Sequence, residues 1–347
     1  MSAHFPGLGP TSPRRPLKPD LITQLQTALG GRYTIQRELG HGGMANVFLA
    51  LDPGGKPVAL KLLRPELAST VGAERFRREV RVAARLQHPA ILTVIDSGVE
   101  SVPVAGGSLE FLWFAMPYVE GQNVWERFER EGPLPAAEVV RIGRAVADAL
   151  AYAHEQGVVH RDIKPDNIML EGDRVLVADF GVARAVSEVA EKLTATGMVV
   201  GTPTYMSPEQ ASGERELDGR SDVFSLACVL YELLAGEAPF HGPTPQATLM
   251  RRFTGPPRGL RPVVDVPEHV EQALMRALAR DPAERFATAS EFADAIDGKA
   301  AAPRPSPTPE PAPVPDASPA KASGKAGCAG MIVLGLVTGG GALLLLG

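Results

Sequence analysis

Cysteine is almost missing from this chain: Cys228 and Cys328 are the only two in 347 residues. They are too few and too far apart for a disulfide framework or a metal-binding spacing, and both lie in apolar stretches, which fits a reducing compartment. A basic excess is missing too. Lys and Arg number 35 against 40 Asp and Glu, and the resulting net charge of −5 offers no bulk field for nucleic acid, so no nucleic-acid partner is expected. The opening residues contain no charged segment leading into an apolar core, which predicts no secretory signal peptide. No internal repeat is present.

What is there falls into five regions. Residues 1–19 are rich in Pro, Gly and Ser and are expected to be disordered. Residues 20–31 predict a short leading helix, N-capped by Asp20, carrying Leu21, Ile22, Leu25 and Leu29 and ended by Gly30-Gly31; it reads as a brace on the folded domain. Residues 32–298 form the main folded region. Its first part, about 32–116, has strand patterns at Tyr33–Ile35, Asn46–Ala50 and Pro57–Leu62, interrupted by one helix near Ala73–Leu86. Its second part, about 121–298, is helical, with amphipathic segments at Pro135–Gln156 and Ser221–Leu234 and shorter helices at Val270–Ala279 and Ser290–Ile296. Residues 299–328 alternate Ala and Pro and lack aromatics, so they predict a semi-extended linker with a reach on the order of 80 Å. Residues 329–347 carry no charge and are nearly all apolar, just long enough to cross a ~30 Å hydrocarbon core as a helix. Lys321 and Lys325 before this stretch orient the folded region to the cytoplasmic side of an inner membrane, with membrane lipid as a partner.

The densest chemistry lies in His160-Arg161-Asp162-Ile163-Lys164-Pro165-Asp166-Asn167, followed by Asp179-Phe180-Gly181. Moving a γ-phosphoryl group asks for an acceptor of the hydroxyl proton, ligands for divalent cations, and positive charge against phosphates. Asp162 can supply the first, Asn167 and Asp179 the second, and Lys164 some of the third. Acidic and amide side chains in loops beside the apolar strands Ile168–Leu170 and Val175–Ala178 repel or desolvate one another unless a cation binds. Two Mg²⁺ ions, with Mn²⁺ as a substitute, are the simplest answer. His160 reads as a packed, hydrogen-bonded group rather than a proton shuttle.

Upstream, Leu39-Gly40-His41-Gly42-Gly43-Met44-Ala45-Asn46-Val47 sits between two predicted strands, where glycines let backbone N–H groups approach phosphates. Alone it is an ordinary hairpin. Val58-Ala59-Leu60-Lys61, arriving next at strand spacing, turns it into a nucleotide clamp. A single lysine on an apolar strand needs a partner, and Glu79 on the following helix is the candidate, with Glu74 left at the surface.

With these motifs in order, residues from about 33 to 296 resemble a bacterial Hanks-type (eukaryotic-like) serine/threonine protein kinase. His88-Pro89, Thr194-Ala195-Thr196-Gly197, Gly201–Gln210, Asp222 and Asp281–Phe286 extend the likeness. The resemblance implies an α+β, two-lobed kinase fold: an antiparallel N-lobe sheet with one helix, and a mainly helical C-lobe. It implies ATP as cofactor, held by Leu39, Gly40, Gly42, Gly43, Val47, Ala59, Lys61, Met116, Tyr118 and Val119. Met116 would guard the back of the adenine pocket and Pro117-Tyr118-Val119 would be the hinge, its register blurred by the insertion Glu100–Ser108. Lys61 and Glu79 would join Asp162 and Lys164 as catalytic residues. Thr202 would contact the protein substrate, Asp222 would anchor the catalytic loop, and Glu209 would pair with Arg285. Ala45 in place of the third loop glycine, Pro117 in the hinge and Trp125 are departures from the family, and none removes a catalytic group.

Arg161 puts a cation directly before Asp162. A phosphate on the activation segment would meet it through charge-assisted hydrogen bonds. Thr194 and Thr196, one or both, are the expected autophosphorylation sites, with a transient homodimer for transfer in trans. A pseudokinase scaffold would share the fold but is expected to lack some of Lys61, Glu79, Asp162, Asn167 and Asp179, all of which are present. A small-molecule phosphotransferase would share the aspartates without the segment at 194–210.

Overall fold

The computed structural model describes residues 19–41, 45–64, 68, 71–104, 107–180, 203–262 and 264–299, all within one unit, Met1–Arg304. The disordered N-terminus, the linker and the apolar stretch 329–347 expected from the sequence lie, apart from Pro19 and Lys299, outside the described residues. Among the described residues no helix is long and apolar enough to cross a membrane.

The leading helix, α1, runs Pro19–Ala28, one residue earlier than expected, so Asp20 sits in its first turn rather than at its cap. Leu25 and Leu29 are fully buried and join Tyr33, Phe48, Phe111 and Trp113 in one cluster. Burying two leucines is worth about 1.5–3 kcal/mol each. The Gln26 amide adds polar stitching, donating to Tyr33 O and accepting from Ile35 N, each at 2.7 Å. The helix is therefore a brace on the small lobe.

That lobe is an antiparallel five-stranded sheet, β1 (Thr34–His41), β2 (Ala45–Leu51), β3 (Pro57–Leu63), β4 (Asp96–Val104) and β5 (Gly107–Pro117), in the order β1-β2-β3-β5-β4. The insertion at 100–108 is the far end of the β4–β5 hairpin, with Val104 opposite Gly107. It lengthens two strands without shifting the pairing of β5 with β3, which sets Met116 opposite Ala59 and Pro117 opposite Val58. Helix α2 (Ala73–Ala83) ends about one turn sooner than its apolar spacing suggests. Its buried side carries Phe76, Glu79, Val80 and Ala83, and Glu74 is exposed.

After β5 the chain enters the large lobe through β6 (Gln122–Asn123), which pairs with β7 (Ile168–Glu171), itself paired with β8 (Arg174–Val177). Gly121 is obligatory at this crossing, because a Cβ there would lie 2.0 Å from Leu170 O. Helix α3 (Val124–Glu131) starts from an Asn123–Glu126 capping box. The core is built by α4 (Ala136–Glu155), α6 (Gly219–Ala235), α8 (Glu268–Ala277) and α9 (Ala289–Ile296), accompanied by the short α5 (Pro208–Ala211) and by α7 (Pro245–Thr254). Helix α4 is amphipathic as expected, burying Val139, Ile142, Val146, Leu150 and Ala153 at helical spacing. Helix α6 is not. Every residue from Ser221 to Leu234 is buried, because α6 is the central post around which the other helices pack. Its polar members are satisfied internally, and two of them anchor the site.

Candidate active site

Asp222 lies on the first turn of α6 with no exposed surface. It accepts from the backbone N–H of His160 and of Arg161, both at 2.7 Å, and from His154 Nε2 at 2.8 Å. Burial works to raise the pKa of this carboxyl. The His154 hydrogen bond, nearby histidines and the Arg161 N–H outweigh that and hold it below the usual carboxylate range, so Asp222 is an anion at neutral pH. A buried anion holding two successive N–H groups fixes the loop where it turns, and Arg161 takes a left-handed φ of 69° there. A non-glycine residue in that region costs of order 1–3 kcal/mol.

His160 is fully buried. Its Nδ1 accepts from Asp162 N at 3.2 Å, which leaves the ring proton on Nε2, facing Ala178 O at 2.8 Å, and the ring meets Phe180 edge-on at 4.6 Å. The imidazole thus spaces the Asp162 loop from the Asp179 strand end, and no proton route passes through it.

Asp162 and its neighbours form a tight set. Lys164 Nζ lies 2.7 Å from Asp162 Oδ2, and Asn167 Nδ2 donates to Asp162 O at 2.8 Å and to Oδ2 at 3.2 Å. One carboxylate oxygen is thereby pinned, while the side chain keeps 33 % of its surface exposed. Burial pulls the Lys164 pKa down, but Asp162, with Asp166 and Asp179 further out, turns the balance upward and keeps it protonated. Asp179 also has a left-handed φ, 68°, a conformation that short polar side chains tolerate better than most. Burial opposes its ionisation, yet Lys61, then Lys164 and His160, hold its pKa below the usual value.

The Lys61–Glu79 pair expected of the active state is not the one formed here. Lys61 makes its ion pair with Asp179, not with Glu79, which is buried on α2 with Arg78 as its cation at 3.5 Å. Both carboxylates are largely buried, with 12 % of the Asp179 side chain and 7 % of the Glu79 side chain exposed, so reach and not depth decides the pairing.

The nucleotide-side residues converge on one face of the small-lobe sheet. Ala59 and Met116, directly opposite on β3 and β5, are buried in a cluster against which Leu39 and Val47 pack. Lys61, two residues beyond Ala59 on the same strand, points to that same face. Val119 is buried and Tyr118 half-buried. Gly42, Gly43, Thr194, Thr196 and Thr202 lie outside the described residues.

Comparison with known proteins settles the lineage of this constellation. The protein kinase domain model matches residues 33–295. The chain belongs to the protein kinase family. Among curated relatives it is 41 % identical over 280 residues to a probable serine/threonine-protein kinase PknB of Bifidobacterium longum, covering 78 % of this chain and 40 % of that protein. It is 41 % identical over 269 residues to the serine/threonine-protein kinase PknB of Mycolicibacterium smegmatis, covering 76 % and 42 %. The chain therefore spans about two fifths of the length of these relatives. Among solved structures, the Mycobacterium tuberculosis PknI kinase domain aligns with a TM-score of 0.61 and 36 % identity, covering 77 % of this chain and 95 % of that one. Rad53 in complex with AMP-PNP aligns with a TM-score of 0.62 and 25 % identity, covering 79 % and 67 %.

Kinases of this family use ATP and a divalent metal, and the residues present fit a cation. Asp179 Oδ1 is buried with no hydrogen-bond partner among the described residues. Asn167 spends its amide N–H₂ on Asp162, which leaves its carbonyl oxygen as an acceptor. A hard cation with few protein ligands and several phosphate or water oxygens matches that donor set.

The large lobe of the kinase closes around a second buried ion pair. Arg285 donates to Glu209 through Nη1 at 2.7 Å and Nη2 at 2.8 Å, and Ser221 Oγ donates to the same carboxylate at 2.6 Å. Ser207 and Gln210 form the capping box of α5, and the Gln210 amide reaches Arg161 O at 2.8 Å. Sequence reasoning did not single out His154, Glu232 or Arg252, and took Tyr205 and Gln210 only as members of the Gly201–Gln210 stretch. Tyr205 OH donates to Glu232 at 2.6 Å, and burial pushes the Glu232 carboxyl up to about 7. His154, Glu232 and Arg252 carry no local signal, because each finds its partner only through tertiary packing.

Proposed function

We propose that this chain is a serine/threonine protein kinase that transfers the γ-phosphate of MgATP to hydroxyls on protein substrates. The observation that carries the reading is the Asp162 set. One oxygen is tied to Lys164 and Asn167, and the carboxylate keeps exposed surface for an incoming hydroxyl. Asp162 takes the hydroxyl proton as the oxygen attacks, and Lys164, held cationic beside it, offsets charge on the transferred group. Asn167 and Asp179 would hold Mg²⁺, which supplies charge neutralisation at the phosphates when bound. Lys61 would lie against the α- and β-phosphates, with the adenine over the Leu39, Val47, Ala59 and Met116 face. For Lys61 to meet Glu79, its pair with Asp179 has to loosen, a change that a cation bound at Asp179 would favour.

Activation by trans-autophosphorylation at Thr194, Thr196 or both is part of this reading, since Arg161, directly before Asp162, is a cation that a phosphate on the activation segment would meet. Incubating the full chain with MgATP and mapping phosphosites should give label at one or both threonines; fully active enzyme unmodified at each would remove the proposal. The kinase is also read as tethered to the cytoplasmic membrane by 329–347, with its catalytic domain in the cytoplasm. Deleting those residues should move it from the membrane pellet to the soluble fraction after lysis. An unchanged pellet fraction would count against the tether.

A further inference from the structure

Four consecutive backbone carbonyls, from Pro203 to Met206, each accept a hydrogen bond from a large-lobe side chain. Arg252 on α7 supplies three: Nη1 donates to Met206 O, and Nη2 donates to Pro203 O at 2.8 Å and to Thr204 O at 3.3 Å. Ser225 Oγ of α6 donates to the fourth, Tyr205 O, at 2.8 Å. Arg252 is only 1 % exposed, and among the described residues no carboxylate pairs with it. Burial accordingly pushes its pKa down.

A buried guanidinium held only by carbonyl dipoles is a poor device for stability, because an apolar side chain of similar volume avoids the desolvation cost. What the planar fork does supply is geometry: donors in fixed directions that define where several acceptors must lie. The segment so defined runs straight into Ser207, the Glu209–Arg285 pair and Gln210, whose amide holds Arg161 O one residue before Asp162. Residues 203–210 are therefore fixed from the α7 side by Arg252 and from the catalytic-loop side by Gln210.

We propose that Arg252 is a positioning residue for the protein substrate: by fixing the carbonyls of 203–206 it sets how the acceptor chain lies relative to Asp162. This rests on the kinase reading above and on its expectation that Thr202, directly before Pro203 in the chain, contacts the protein substrate. On that reading the nucleotide would bind elsewhere, between the small-lobe sheet and Asp179, so the residue acts on one substrate only.

The test is steady-state phosphorylation of casein by the full chain, wild type beside R252M and R252K, with casein and MgATP varied separately. In R252M the KM for casein rises about tenfold or more, as expected when hydrogen bonds from a charged donor are lost, while the KM for MgATP stays within about twofold. R252K keeps the charge without the planar fork and gives the same split at about threefold, so it decides the matter if R252M does not fold. Casein KM unchanged in the variants, or casein and MgATP parameters worsening together with thermal stability, overturns the proposal. Absence of label with the wild type overturns the kinase reading as well, whereas label with an unchanged split overturns this inference alone.

Discussion

Asp162→Asn should lower γ-phosphate transfer to protein by about 10²–10⁴-fold, the range general-base groups contribute, while nucleotide still binds. The substitution is nearly isosteric. The carbonyl oxygen of the new amide can keep the contact that Lys164 Nζ now makes with Asp162 at 2.7 Å, so the loop held by Asp222 through His160 N and Arg161 N has no reason to move. What disappears is the proton acceptor. The change also removes the closest anion from Lys164, whose raised pKa depends on Asp162 more than on Asp166 or Asp179. Two measurements check this: label transferred to casein, and titration of a fluorescent ATP analogue. Lost transfer with retained binding places Asp162 in the chemical step. Lost binding would mean the loop had collapsed, and retained transfer would mean that another group takes the proton.

The two-lobed fold and most of the site were legible because the kinase motifs are local in sequence. Asp162, Lys164 and Asn167 fall within one short loop, and Ala59 and Lys61 alternate on one strand, so spacing alone gave their company. The strand register was harder. The insertion at 100–108 obscured the hinge until the hairpin pairing of Val104 with Gly107 showed that the extra length adds to β4 and β5 alike. Helix α6 misled for a different reason: Ser221, Asp222, Ser225 and Glu232 supply a polar face to the sequence pattern, yet each is buried against a partner from elsewhere. The Lys61 partner differs from the one expected of the active state because two carboxylates, Asp179 and Glu79, compete for one ammonium, and which of them lies within its reach is a tertiary property. Arg252 was invisible since its acceptors are backbone carbonyls some 46 to 49 residues earlier.

Arg285→Met should destabilise the domain by about 3–5 kcal/mol, the usual consequence of stripping one partner from a buried ion pair. For a domain of this size each kcal/mol shifts Tm by roughly 2–4 °C, so a fall of about 10 °C in a thermal scan is expected. The arginine also donates to Ala279 O at 2.8 Å and to the carbonyls of Arg220 and Arg280 at 3.0 Å, so the loss leaves several acceptors unserved besides Glu209. The pH dependence separates the pair from mere packing. In the wild type burial tends to raise the Glu209 pKa, but the Arg285 hydrogen bonds and charge prevail and hold it below its ordinary 4.5. A carboxylate with a depressed folded pKa stabilises fully above its unfolded value and loses that contribution as pH falls through the folded one. In the variant burial, the largest single influence, is opposed only by the Ser221 hydrogen bond and by Glu209's own backbone N–H, so the Glu209 pKa rises. The sign then reverses: charging this carboxyl costs stability as pH climbs, and protonation relieves it. The Tm gap between wild type and R285M should therefore be widest near neutral pH and narrow toward pH 4. A gap that stays constant across that range would mean the arginine acts through packing over Phe224, 4.8 Å away, and not through its charge on Glu209.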